Sequence, residues 1–307
     1  MDRATGGERA PRPMFGISVT PYAETYPRIV EQVAAAERLG LDAVGIQDHP
    51  YQRRFLDTFA LIGDLLARTT RLRFFPDVAS LPMRPPTMMA KAAASLDVMS
   101  GGRFELGIGA GAFWDAVSGM GGVPRRPAES VDALEEAIAI IRGALDVGPE
   151  RRVVRGEGPH YPAPGYPPGP PPAHRIEIWV GAMGPRMLEL IGRAADGWIA
   201  GSGVSRAAEF PAVKARLDES AIAAGRDPSE IRRIVNLSGV VMDDANGHGP
   251  LDGNVDKWVE TLSNWFRELA IDGFIFWPPD TGLDQIERFA NEVVPAVKER
   301  ISVGRQP

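Results

Sequence analysis

The chain has 307 residues, no cysteine, a formal net charge of −6 and 44% apolar side chains. The missing thiols exclude disulfides, thiolate metal sites, cysteine-bound iron–sulfur clusters and a cysteine nucleophile. The interspersed acidic balance argues against nonspecific nucleic-acid binding, which needs a basic face, and no apolar stretch reaches the length of a membrane span. Residues 1–14 lack the apolar centre of a signal peptide and read as a loose polar tail, so a cytoplasmic location is expected. The four histidines, His49, His160, His174 and His248, are too scattered to suggest a metal cluster, and no metal is expected.

Strand and helix patterns alternate along the chain. A strand is expected at Phe15–Thr20, then a helix at Tyr26–Leu39 stopped by Gly40, and a strand at Ala43–Gln47 followed by a helix at Thr58–Arg68. Strand Leu72–Val78 leads to helix Thr87–Met99, and strand Arg103–Ile108 leads to helix Ala128–Leu145. In that helix Val131, Leu134, Ala137, Ile138, Ile141 and Leu145 recur at helical spacing. The second half repeats the pattern: strand Ile176–Gly181 with helix Pro185–Ala195, strand Gly197–Ala200 with helix Ala207–Ala224, strand Arg233–Met242 with helix Val255–Ala270, and strand Gly273–Trp277 with helix Leu283–Arg300. Proline suits the first turn at Pro185, and Gly225 suits a left-handed cap.

Eight strand–helix units predict an α/β fold, a single (β/α)8 TIM barrel over residues 15–302 with a short tail at 303–307. A doubly wound open sheet is the alternative, but no G-x-G-x-x-G fingerprint follows the first strand. Residues 148–175 interrupt the rhythm with a Pro/Gly-rich insertion between helix four and strand five. It reads as a polyproline strap with a short hairpin around Arg152–Tyr161, a lid being the lesser alternative.

In such a barrel the site is built from the loops after the strands' carboxyl ends. That rule selects Gln47–Tyr51, Asp77–Arg84, the loop from Gly109 to Asp115, Gly181–Arg186, and later Ser202, Asn236 and Pro278–Asp280. His49 is the one histidine at such an end; it could exchange a proton near neutral pH or simply pack behind Asp48. Gly107, Gly109 and Gly111 let a ligand or another backbone approach closely, because no Cβ stands in the way. The run Gly181-Ala182-Met183-Gly184-Pro185-Arg186 precedes a helix whose first N–H groups are unpaired, which reads as an anion site with Arg186 as a guanidinium partner or as an ordinary helix start. Phe113, Trp114 and Trp277 could wall an apolar substrate pocket, although aromatics are more often core.

Two segments together, SLDVMSGGRFELGIGAG (95–111) and WVGAMGPRMLELIGRAADGWI (179–199), resemble the bacterial-luciferase-like superfamily of flavin- and deazaflavin-dependent oxidoreductases. The resemblance covers residues 15–300 and implies a TIM barrel with a cofactor at its carboxyl face. It implies that Asp48 and His49 lie beside the ring, with His49 as the catalytic residue. It also implies a non-prolyl cis peptide at Val78–Ala79 or Ala79–Ser80 pressed against the ring, making Val78, Ala79 and Ser80 cofactor contacts. The stretch Ala182–Leu188 looks like the phosphate loop of F420-dependent reductases. Luciferase itself has hydroxyl side chains there and this chain has none, which favours coenzyme F420 over FMN. F420-dependent sugar-phosphate dehydrogenases carry a glutamate where this chain has Ala112, so sugar-phosphate oxidation is not expected. The resemblance thus implies F420-dependent hydride transfer to or from a small organic substrate. The alternatives are a two-component monooxygenase using reduced FMN and O2, supplied by a separate flavin or F420 reductase, and a non-catalytic flavin-binding relative. A homodimer through barrel helices is also implied.

Overall fold

Eight parallel strands alternate with helices in the computed structural model, which describes residues 13–148, 153–200, 203–244, 247–279 and 282–303. The strands are Met14–Val19, Ala43–Ile46, Arg73–Pro76, Leu106–Gly109, Ile178–Gly181, Gly197–Ala200, Arg232–Ser238 and Gly273–Trp277. The first pairs with both the second and the eighth, and the fourth through eighth pair in sequence. The third strand closes the ring. Its first half pairs with the second strand; beyond Asp77–Val78 the chain resumes as Ala79–Ser80 and pairs with the fourth. The closed barrel, not the open sheet, is therefore the architecture.

Alternation along each strand divides the core in two. Phe15, Ile17, Val19, Val44 and Ile46 point outward into the layer under the helices. Met14, Ala43, Phe75, Trp179, Ile199, Ile234 and Ile275 point inward and fill the lumen, where Phe75 and Trp179 meet edge to face at 5.0 Å. Below them Arg73 binds Glu105 (2.6 Å), His174 bridges Glu105 (3.1 Å) and Asp97 (2.7 Å), and Arg232 faces Asp272 (3.3 Å). These ion pairs floor the barrel at its amino end, the face that serves stability.

Several boundaries differ from the sequence reading for identifiable reasons. Met14 belongs to the first strand, not to the tail: its N–H donates to the Asp272 carbonyl and its side chain is buried in the lumen. The rest of the expected tail, apart from Pro13, lies outside the described residues, as do residues 304–307, while Val303 still belongs to the last helix. Strand seven ends at Ser238 rather than Met242, because Gly239 packs against the Leu251 backbone and the chain turns away. Helix Ala207–Ala224 becomes a 3-10 stretch, Gly203–Glu209, and an α-helix, Phe210–Ala223, that starts where Pro211 fits the first turn. The last helix contains a π-turn at Phe289–Val293 just before Pro295, whose missing N–H cannot continue the regular ladder.

The described part of the insertion is a strap. Its hairpin pairs Val154–Gly156 with Ala163–Tyr166, later in the chain than expected, and Arg152 lies outside the described residues. Glu136 accepts from the N–H groups of His160 and Tyr161, and Asp97 accepts from those of Ala173 and His174. Both anchors sit on helices Pro86–Ser100 and Pro127–Leu145, outside the barrel. Among the described residues no helix is long and apolar enough to cross a membrane.

Candidate functional site

The exits of strands two, three, four and five converge at the carboxyl mouth. Asp48, directly after strand two, is buried and fully engaged: Oδ2 accepts from the Ser80 N–H (2.9 Å), and Arg84 donates to both carboxylate oxygens (3.2 and 3.3 Å). It therefore ties the strand-two exit to the second half of strand three. Asp57, the N-cap of helix Thr58–Arg68, shares the same guanidinium at 2.6 Å.

His49, beside it, is half-buried. Its Nδ1 lies 2.8 Å from the Tyr51 hydroxyl, and its ring contacts Phe55 and Phe113 at centroid distances of 6.2 and 5.7 Å. Burial lowers its pKa from the ordinary 6.5, with the Asp48 charge opposing, so the imidazole is neutral at pH 7. Phe113 is 65% exposed and holds a left-handed backbone (φ 55°), which swings its ring from the strand-four exit onto His49 and Tyr51. Nothing in the local sequence of Phe113 announces that conformation, which is uncommon outside glycine.

The glycines of strands four and five behave differently from a cofactor-sized opening. A Cβ at Gly107 would fall 2.0 Å from the Pro76 carbonyl oxygen. Added at Gly109 or Gly181, it would meet the Val78 side chain at 2.7 or 2.9 Å. The close approach is real, but the group admitted is the protein's own third strand, with Val78 wedged between two glycines as part of the mouth's wall. Gly111 likewise makes room for Pro82 and for Trp114, which packs back on its own loop. The non-prolyl cis peptide lies at Asp77–Val78, one residue before the first of the two positions expected from the resemblance and two before the second; Val78–Ala79 and Ala79–Ser80 are not cis. The shift follows from the pairing, since Ala79 and Ser80 are already in register with Ile108 and Gly109.

Across the mouth, Gly184 caps helix Pro185–Ala194 without any side-chain bond, and a Cβ there would meet nothing within 4 Å. The helix thus presents its first N–H groups to open space. Arg186 is not over this loop: its guanidinium is paired with Asp132 on helix Pro127–Leu145 at 3.1 Å and is half-exposed. Trp277 is also apart from His49. It lines a cavity of about 180 Å³ between the exits of strands eight and one, with Ser18, Thr20 and Tyr22. Tyr22 meets Phe55 edge to face at 5.0 Å, so an aromatic arc runs from that cavity to His49. Phe55 and Tyr22 were missed by the sequence reading, although they lie in the loops after strands two and one, where the strand-end rule could have found them. Ser202 and Asp280 lie outside the described residues.

Beneath the mouth, Asp77 and Asn236 hydrogen-bond through the lumen at 3.2 Å. Asp77 Oδ2, Asn236 Oδ1 and Ser18 Oγ are buried without a partner. Desolvation pushes the Asp77 carboxyl up to about 6, opposed only by the Asn236 bond. Among the described residues no group of three or more histidine or acidic side chains could hold a metal ion.

A profile of the luciferase-like monooxygenase family matches residues 13–246. An uncharacterised protein of Mycobacterium tuberculosis is 34% identical over 244 residues, 79% of each chain. The F420-dependent glucose-6-phosphate dehydrogenase of Kribbella flavida is 30% identical over 222 residues, covering 68% of this chain and 63% of that protein. The structure of the coenzyme F420-dependent tetrahydromethanopterin reductase of Methanopyrus kandleri superposes with a TM-score of 0.77 at 19% identity, covering 92% of this chain and 99% of the reductase.

Proposed function

From the premise that the chain belongs to the luciferase-like monooxygenase family, a family of oxidoreductases, we propose that it transfers a hydride between coenzyme F420 and an uncharged small organic substrate. The supporting observation is the uncapped helix start at Gly184, open to solvent and without a hydroxyl side chain from Gly181 to Arg186, where backbone N–H groups and the helix dipole suit a phosphodiester. Other features fit the same group. Val78 offers an apolar wall, Asp77 and Asn236 leave unpartnered polar atoms beneath it, and half-buried His49 stands at its edge.

When bound, the deazaflavin supplies the hydride-carrying carbon. The chain's own residues do the rest. The amides of Met183, Gly184 and Arg186 bind phosphate, Pro185 having no N–H to give, and the Arg186 guanidinium contributes once it leaves Asp132. Asp48 fixes Ser80 and Arg84, and so holds the strand-three wall still. His49, oriented through Nδ1 by the Tyr51 hydroxyl, holds or gives a proton at Nε2, the ring nitrogen left free of that contact. The aromatic arc of Phe113, Tyr51, Phe55 and Tyr22 offers apolar ring surface at the mouth, which suits an apolar substrate rather than a phosphorylated one. Ala112, in the position where the sugar-phosphate enzymes carry glutamate, agrees with that.

The test is to mix chemically reduced F420 with the protein under nitrogen and a panel of ketones, conjugated alkenes and imines, following the return of oxidised F420 by absorbance. Reoxidation that needs substrate but not oxygen supports the proposal. Turnover that appears only with reduced FMN and oxygen would move the chain to the monooxygenase reading, which the family's own description favours. In that case a separate reductase would supply reduced FMN. Homodimerisation through the barrel helices is part of the proposal.

A further inference from the structure

Asp77 has no part in the proton and phosphate roles above, yet burial holds its carboxyl well above the usual carboxylate range. Its bond to Asn236 joins strands three and seven, which are not neighbours, so it crosses the lumen itself. Gly45 on strand two is what admits it: a Cβ there would stand 3.0 Å from Asp77 Oδ2. Ser18 is the register partner of Gly45 on strand one, and its hydroxyl is buried and unpartnered like Asp77 Oδ2 and Asn236 Oδ1. Three orphaned polar atoms in one upper layer of the lumen are unusual in a native interior, where buried polar groups are paired. Asp77 itself directly precedes Val78, the wall of the mouth.

Resting on the functional reading above, we propose that Asp77 is a positioning acid beneath the cofactor ring, which must carry a proton when the reduced, anionic ring is bound and so couples binding of the reduced cofactor to proton uptake. The physics is like-charge repulsion in a desolvated place. With its carboxyl pushed up only to about 6, Asp77 is largely ionised at pH 8 in the free protein. A second negative charge on the ring above it then forces the carboxylate to take a proton from solvent. Among the described residues no other charge relieves it. Strands one, two, six and eight present no charged side chain to the lumen among the described residues. Arg73 and Arg232, which open strands three and seven, and Glu105 and Glu177, which directly precede strands four and five, line the cavity at the opposite, amino end. At the strand-two exit Asp48 is paired with Arg84, and His49 is neutral.

The experiment is calorimetric titration of the full-length protein with chemically reduced F420, and separately with reduced FMN, under nitrogen at pH 6 to 8.5 in buffers of differing ionisation enthalpy. At pH 8 the wild type should take up about one proton per cofactor bound, and its affinity should fall by about tenfold per pH unit above Asp77's pKa. Asp77→Asn should take up none and bind with a flat profile. Asn236→Ala removes the one hydrogen bond that lowers the Asp77 pKa, so the onset of the fall should move to higher pH, which a merely structural role would not produce. Binding by the wild type without proton uptake overturns the inference even if Asp77→Asn does not fold. A proton-uptake profile unchanged in Asp77→Asn overturns it as well. Binding of neither cofactor by folded protein refutes the functional reading and this inference with it, a result distinct from binding that is flat with pH.

Discussion

Gly107→Ala tests the claim that the glycines of strand four exist to let strand three in. The new Cβ would sit 2.0 Å from the Pro76 oxygen and 3.3 Å from its carbon, against a comfortable carbon–oxygen contact of about 3.3 Å or more. Both groups are backbone, so no rotamer relieves the overlap and the strands must part by about 1.3 Å, taking that contact as the target. Their pairing is already sparse, resting on Phe74 with Phe104, Ala79 with Ile108 and Ser80 with Gly109. Overpacking costs about 1–3 kcal/mol, and losing one or two ladder hydrogen bonds adds about 1 kcal/mol each, for about 2–5 kcal/mol in total. In a chain of this length that lowers Tm by about 4–10 °C, at roughly 2 °C per kcal/mol. Thermal unfolding followed by circular dichroism reads it directly. Gly119→Ala, where a Cβ meets nothing within 4 Å, is the control and should not lower Tm. A Gly107→Ala protein that melts within 2 °C of wild type, roughly the effect of 1 kcal/mol, would refute the reasoning.

Other expectations address the site and the floor of the barrel. Gly184→Asp should leave Tm unchanged or slightly raised, because a carboxylate caps the helix better than glycine by a few tenths of a kcal/mol, while repelling phosphate and weakening F420 or FMN binding by about tenfold or more; unchanged affinity in a binding titration would remove the phosphate role of this loop. His49→Ala should fold normally and lose about 100-fold or more in turnover; turnover equal to wild type would end its catalytic assignment. His174 has its pKa raised above the ordinary 6.5, chiefly by its hydrogen bond to Glu105 and then by the Glu105 and Asp97 charges. A raised folded pKa contributes stability that is complete below the unfolded value and is lost as pH rises through the folded one. The Tm advantage of wild type over His174→Gln should therefore shrink from pH 6 to pH 8.5, and an advantage constant across that range would contradict the pairing.

The barrel was legible because periodicity and punctuation are local. Tyr26, Thr58 and Pro185 begin helices where the sequence reading places them, and Gly40 (φ 79°) and Gly225 (φ 72°) take the left-handed caps their positions suggest. The site was legible only in part. His49, Phe113 and Val78 could be assigned to the mouth from strand ends, but what fills the space beside Gly109 and Gly181 depends on which strand lies next in the ring, and closure joins residues far apart in sequence. The same holds for Asp77 and Asn236, 159 positions apart. Asp77 directly follows strand three and Asn236 lies within strand seven, yet their bond exists only once the lumen has formed. Arg186 illustrates the converse: its place in the motif suggests phosphate, and the fold adds a half-exposed ion pair with Asp132 on a neighbouring helix that no local pattern announces. The break of strand three at Asp77–Val78 is likewise set by register against strand four rather than by local residue preference.

The most direct test of the proposed activity is a competitive binding titration of the purified protein with F420, FMN and reduced FMN, read by fluorescence quenching and repeated with Gly184→Asp. The account predicts selective binding of F420 that the substitution weakens. Preference for reduced FMN with oxygen consumption, or binding of none of the three, would contradict it.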